Sequence, residues 1–338
     1  MWRETVDALV PSTVAAPLRP PLRATARKNF SSFQSKERFF IIGKPFSEIV
    51  KLRPNLETYT NSNLNFRSQA MTVLYGESAG IAVIALNRPE ALNALDLPTL
   101  QRLEELLEMA AASTAAGAVV LTGTGSSAFC AGADIKYLSQ ATPLEVREFA
   151  RLAVRVTHRI ENLGKVVVAA LNGHALGGGL ELAEACMIRI AANHAKLGHP
   201  EVRIGAVAGF GGTTRLARLV GKGRAAEMLL RGRAIDAEEA LRIGLVQQVT
   251  AADELMDAAR SLLYEILGQS PDAVRLTWEA LHRGLNMTLE ESASLGADYF
   301  GLAASTENFR IGTDAFIKKV APDFTHQRVK ENRQTRAQ

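Results

Sequence analysis

The chain has 338 residues, 47% of them apolar, enough to bury a substantial core in one large domain or two ordinary ones. No apolar run approaches the roughly 18 residues needed to span a bilayer, and two cysteines, Cys130 and Cys186, provide neither a disulfide framework nor a CxxC pair, as suits a reducing compartment. The net charge of +4 is unevenly spread: residues 1–70 carry 11 Lys/Arg against 5 Asp/Glu, and the remaining 268 residues carry 28 against 30, so the basic character belongs to the first fifth of the chain.

That first fifth is rich in Pro, Arg, Ser and Asn and shows no sustained periodicity, which predicts a basic extension without regular structure over 1–70. Two functional readings compete with a plain non-folding extension, or with a start that belongs at Met71. One is an organellar presequence, which would place the protein in the mitochondrial matrix; the other is a basic arm for nucleic acid or a membrane surface. Glu4, Asp7 and Glu37 weigh against the presequence, because such segments are acid-poor. Without a presequence the expected compartment is the cytoplasm.

Regular alternation begins after Met71. VLY and IAVIAL read as strands separated by a GESAG turn. LDLPTLQRLEELLEMAAA places Leu97, Leu100, Leu103, Leu106, Leu107 and Ala110 at spacings of three and four, an amphipathic helix. AGAVVLTG follows as a buried strand, then VVVAAL, a helix after the glycines, MIRIAA, and LVQQV before a helix-rich stretch from about 252 to 319. Such alternation predicts an α/β fold with a largely parallel sheet and a C-terminal helical segment. Trp278 reads as helical core, and no fixed-period repeat is present.

Three consecutive glycines, Gly177 to Gly179, stand before the helix that carries Glu181. They match neither the dinucleotide-binding G-x-G-x-x-G nor a P-loop, since no Lys-Ser/Thr follows. Close helix–sheet packing explains one or two of them but not the adjacent glutamate. A backbone N–H at a helix start can instead polarise a carbonyl oxygen as half of an oxyanion hole. The AGAD turn, Ala131 to Asp134, offers a second donor after a buried strand, with Asp134 also suited to capping the next helix.

Glu181 and Glu201 would then flank a polarised carbonyl as an acid/base pair, against the plainer reading of solvated carboxylates, with Glu184 one turn on as a confounder. His199-Pro-Glu201 has the H-x-E of zinc deaminases but no P-C-x-x-C follows, and the six histidines (158, 174, 194, 199, 282, 326) show no metal-ligand spacing, so no metal is expected. Cys130 beside AGAD reads as a small buried hydrophobe rather than a nucleophile.

The blocks ALNRPEALNAL (85–95), AFCAGADIKYL (128–138), VAALNGHALGGGLELAEAC (168–186), LGHPEVRIGAVAGFGGTTRLARLVG (197–221) and GRAIDAEEALRIGLVQQV (232–249) together resemble, in order, the signature blocks of the enoyl-CoA hydratase/isomerase, or crotonase, family. The resemblance covers about Met71 to Phe324. It implies a crotonase-type ββα spiral over 71–265, a C-terminal helical subdomain and tail over 266–338, and acyl-CoA thioester substrates of fatty-acid metabolism. It puts the oxyanion-hole donors on Ala133 and Gly178, substrate contacts on Ala133, Asp134, Ile135, Lys136, Gly178 and Gly209, and catalysis on Glu181 and Glu201.

By that resemblance Glu181 takes a proton from water and Glu201 supplies the one that reaches the α-carbon. Isomerases of the family commonly lack the first acid, so keeping both favours hydration of a 2-trans-enoyl-CoA to a 3-hydroxyacyl-CoA. The alternatives are a Δ3,Δ2-enoyl-CoA isomerase or another acyl-CoA lyase of the same fold, and, outside catalysis, a nucleic-acid-binding or scaffold protein using the basic extension. The resemblance further implies no cofactor beyond the substrate's own CoA, a homotrimer or dimer of trimers, and no nucleic-acid or membrane partner. Met187, Val166, Ala208, Thr214 and Ile311 depart from the family's usual Asp, Pro, Pro, Gln and Glu; none of these is a proposed catalytic group.

Overall fold

The computed structural model describes residues 71–324; the basic extension expected over 1–70, and the chain from 325 with His326, lie outside the described residues. Strands β1 (Val73–Ser78) and β2 (Ile81–Leu86) form an antiparallel hairpin. Its turn is shorter than GESAG: Gly76, Glu77 and Ser78 pair with Val83, Ala82 and Ile81, leaving Ala79 and Gly80 at φ 50° and 81°. Two positive φ values give a two-residue turn the twist that its flanking strands require.

Helix α1 (Leu97–Ala112) starts where Asp96 accepts the Thr99 N–H at 2.9 Å and Pro98 fills the first turn. Its expected stripe is the buried face: Leu100, Leu103, Leu106, Leu107 and Ala110 enter the core, with Leu97 packed at its edge. Each such leucine contributes roughly 1.5–3 kcal/mol by leaving water.

Then come β3 (Ala118–Gly123), β4 (Ala128–Cys130), a single turn α2 (Ile135–Leu138), and α3 (Pro143–Glu161), whose Thr142 and Glu145 form a capping box. They are followed by β5 (Val166–Leu171), β6 (His174–Leu176), α4 (Gly178–Ala185), β7 (Ile188–Ala192), β8 (Lys196–Gly198) and a 3-10 turn over Glu201–Ile204. Next are α5 (Gly212–Val220), α6 (Lys222–Arg231), β9 (Ala234–Asp236), α7 (Ala237–Arg242) and β10 (Gln248–Thr250). Helices α8 (Leu255–Leu267), α9 (Pro271–Gly284), α10 (Leu289–Ala304) and α11 (Glu307–Lys318) complete the described chain.

Two sheets result. The larger, in order β1-β2-β3-β5-β7-β10, is parallel from β2 onward, as the alternation predicts. The smaller, β4-β6-β8-β9, is parallel through β8 and ends on an antiparallel β9. Successive strands alternate between them: β3, β5 and β7 join the large sheet while β4, β6 and β8 join the small one, which is the ββα spiral.

Three expectations need correction. LVQQV is not a strand throughout: β10 begins at Gln248, and Leu245 and Val246 are buried in the core ahead of it. The division expected at 265/266 falls inside α8, whose Leu255, Ala259 and Leu263 pack on Ile81, Val120, Val168 and Ile190 of the large sheet. Trp278 is half-buried rather than core; its indole N–H donates to the Glu161 carbonyl at 2.9 Å and its ring stacks on His282.

Candidate active site

The carboxyl ends of β4, β6 and β8 lie side by side in the small sheet, and each releases one expected segment: AGAD after β4, the glycines after β6, and His199-Pro200-Glu201 after β8. Ligands in α/β proteins bind at such strand ends. The AGAD turn is stitched to the segment before α1. Ala131 N–H donates to Leu92 O at 3.0 Å, Leu95 N–H to Gly132 O at 2.8 Å, and Asp134 N–H to Leu95 O at 2.8 Å. Among the described residues the Ala133 N–H between them has no backbone acceptor, and neither has the Gly178 N–H at the start of α4. The two turns touch: a methyl group on Gly132 would stand 3.5 Å from Gly178 N.

Close approach explains the glycines. A methyl on Gly179 would meet the Cys130 carbonyl oxygen at 2.1 Å, and one on Gly178 would meet the Phe210 ring at 2.4 Å. A methyl on Gly177 would stand 2.9 Å from Glu201 Oε1, which places the second carboxylate against the glycine turn.

Every residue of α4 is buried, including Glu181, 1% exposed, and Glu184. The backbone N–H groups of Phe210 and Gly212 both donate to Glu181 Oε1 at 2.7 Å, the second from the first turn of α5. Burial raises the Glu181 carboxyl from 4.5 to about 7, and the two N–H donors with nearby His199 restrain that rise. An acid poised there can take or give a proton near neutrality. Phe210 is itself clamped: its carbonyl accepts from Arg215 at 2.9 Å, Arg215 grips Glu161 with two bonds at 2.6 and 2.7 Å, and its ring meets Phe149 edge-on.

Glu184 is not a surface carboxylate. Its Oε1 lies 2.8 Å from His199 Nε2, and both side chains are fully buried. Burial raises Glu184 and opposes a charged His199, yet one shared proton must reside on one of them. A further carboxylate, Glu201, stands 3.6 Å from the opposite ring nitrogen, and the two carboxylates together raise the imidazole against the effect of burial, so that the shared proton belongs to the imidazole.

Of the other expected residues, Asp134 caps α2 at the Lys136 N–H (3.1 Å) and pairs with Arg88, also at 3.1 Å. Arg88 reaches Asp96 at 3.0 Å and the Ala94 carbonyl at 2.8 Å, tying both walls of the AGAD turn together. Ile135, Lys136 and Gly209 are exposed at the rim. Cys130 is buried with its thiol pushed up to about 12, which fits a packing role. The sequence reading missed Phe210, Gly212, Arg215 and Arg88; only His199, inside H-P-E, carried a signal. A cavity of about 620 Å³ opens elsewhere, between the α1–β3 and α3–β5 connections and α9, and none of Ala133, Gly178, Glu181 or Glu201 lines it. Its Lys165 ammonium is taken up by the Ala110 and Ser113 carbonyls.

The sequence profile of the family described as Enoyl-CoA hydratase/isomerase matches residues 76–327. A short-chain-enoyl-CoA hydratase of Clostridium acetobutylicum is 41% identical over 247 residues, 73% of this chain and 95% of that protein. A crotonyl-CoA hydratase of Syntrophomonas wolfei is 41% identical over 244 residues, 72% of this chain and 94% of its own. The crystal structure of an enoyl-CoA hydratase from Bacillus anthracis superposes with a TM-score of 0.73 at 35% identity, covering 75% of this chain and 99% of that one. With the family profile matched from residue 76 to 327 and relatives 41% identical over more than two thirds of its length, the chain belongs to the enoyl-CoA hydratase/isomerase family.

Proposed function

We propose that this chain is an enoyl-CoA hydratase, a hydro-lyase that adds water across the double bond of a short-chain 2-trans-enoyl-CoA to give the 3-hydroxyacyl-CoA. The observation that carries the mechanism is the convergence of two buried carboxylates, Glu181 and Glu201, on a turn whose Gly178 N–H has no backbone acceptor among the described residues. The thioester carbonyl oxygen is held by the Ala133 and Gly178 N–H groups. Water attack at the β-carbon pushes electron density onto that oxygen, and two preorganised donors stabilise the enolate; losing one such donor costs about 2.7–4 kcal/mol.

Glu181, fixed through Oε1 by Phe210 and Gly212, takes the water's proton. Glu201 delivers a proton to the α-carbon. Asp134, Ile135, Lys136 and Gly209 form the rim over which the substrate enters, and CoA, remote from the reacting carbons, supplies binding energy. The short acyl chain follows the activities named for the two relatives above, and the family resemblance supports a homotrimer or a dimer of trimers. Both cysteines are free and buried, which supports the cytoplasm as compartment.

The assay is crotonyl-CoA hydration, followed as loss of the conjugated enoyl absorbance. Glu181→Gln and Glu201→Gln are each expected to lower kcat by about 10²–10⁴, and hydration at the parent rate by either variant would overturn the acid/base assignment. A parent that shifts a 3-enoyl-CoA double bond faster than it hydrates crotonyl-CoA would move the reading to an isomerase.

A further inference from the structure

We infer that His199, anchored on Glu184, is a positioning residue for Glu201: its Nδ1 holds the proton that Glu201 passes to the α-carbon. The inference rests on the hydration reading above and concerns two side chains which that reading leaves without a role.

The geometry is a buried line of carboxylate, imidazole and carboxylate. One link is closed, with His199 Nε2 at 2.8 Å from Glu184 Oε1. The other is open, with His199 Nδ1 at 3.6 Å from Glu201 Oε1, beyond hydrogen-bond range. His199 Nδ1 and both Glu201 oxygens are buried without a partner. Unmade bonds of buried polar groups destabilise a fold, and closing this link would satisfy one atom on either side.

The charged groups around the ring fix where the proton sits. Glu181 and Glu184 face it from α4 and Glu201 from the 3-10 turn, while Arg189 on β7 and Arg215 on α5 act on Glu184 from further off. Both arginines are already committed, Arg215 to Glu161 and Arg189 to the Leu245 and Cys186 carbonyls. Burial opposes the charge on this ring, and the carboxylates that flank it outweigh that cost and raise the imidazole above its ordinary range.

The protons balance. Before reaction His199 is imidazolium and Glu181 and Glu201 are carboxylates. As water adds, hydroxide bonds to the β-carbon and the water's proton goes to Glu181. The Nδ1 proton passes to Glu201, and Glu201 gives a proton to the α-carbon. Afterwards His199 is neutral, Glu181 is protonated and Glu201 is again a carboxylate. Release of one proton from Glu181 and uptake of one by His199 reset the site.

Two measurements test this. In the ¹⁵N-histidine spectrum of the parent enzyme, the ring signal lost in His199→Gln is expected to remain that of an imidazolium through pH 9; a neutral ring at pH 7 overturns the proposal. In the pH profile of kcat, His199→Gln is expected to move the basic limb down by about one unit or more, with KM for crotonyl-CoA changed less than about twofold. An unmoved limb overturns the proposal, even where rate or stability falls, because a merely structural histidine leaves the profile in place. Should His199→Gln not fold, Glu184→Gln keeps an acceptor for Nε2 and removes the charge, and the same limb is expected to move by less; an unmoved limb there is equally decisive. A parent that fails to hydrate crotonyl-CoA defeats the hydration reading, whereas the spectrum still decides who holds the proton.

Discussion

Glu181 carries opposing demands of stability and chemistry. Its folded carboxyl is raised from 4.5 to about 7, so the native state holds this proton more tightly than the unfolded chain does. Stability from this group is therefore greatest below about pH 4.5 and falls as pH rises through about 7, by on the order of 3 kcal/mol. A glutamine retains an oxygen for the Phe210 and Gly212 N–H groups and removes the buried charge. Glu181→Gln is accordingly expected to raise Tm at pH 8 and leave it little changed at pH 5, while activity collapses. Calorimetry of both proteins at the two pH values checks this; equal Tm differences at both would show that Glu181 is not titrating in that window. On the proposed role of its carboxylate as acceptor of the water's proton, kcat/KM of the parent is expected to rise with pH through about 7.

At the scale of elements, the AGAD turn depends on Arg88. This half-buried guanidinium joins Asp96, at the cap of α1, to Asp134, at the cap of α2, and also reaches the Ala94 carbonyl. Arg88→Ala would strand two carboxylates, with an expected loss of about 1–3 kcal/mol in denaturant melts. It would also let the Ala133 N–H drift, lowering kcat on the order of ten- to a hundredfold; a variant with parent kcat would remove Arg88 from the support of the donor turn. Sequence made the large sheet legible, because VVVAAL, IAVIAL and the leucine stripe of α1 are long enough to show their periods. It hid the small sheet, whose strands have three residues each and no period to read. Yet that sheet sets Ala133, Gly178 and Glu201 beside one another. Glu181 and Glu201 could be named from spacing and resemblance, whereas the Phe210 and Gly212 donors could not, since a backbone N–H leaves no mark in composition.

At the scale of the molecule, the C-terminal helices expose large apolar side chains: Leu281, Leu285, Leu289, Phe300, Phe316 and Ile317 are each between 56% and 88% accessible in the isolated chain. So many large apolar side chains left in water on three successive helices suit a contact face. Light scattering is expected to give three or six times the chain mass, and a monomer mass would count against the assembly.

The alternation of strands between two sheets bears on how the protein is made. Glu181 receives its donors from 29 and 31 residues further along the chain. At about 5–20 residues per second, a ribosome completes α4 seconds before Phe210 and Gly212 emerge. During that interval the acid has no place in a closed interior, so the segment that joins β8 to α5 is the one that lets the helix carrying Glu181 be buried.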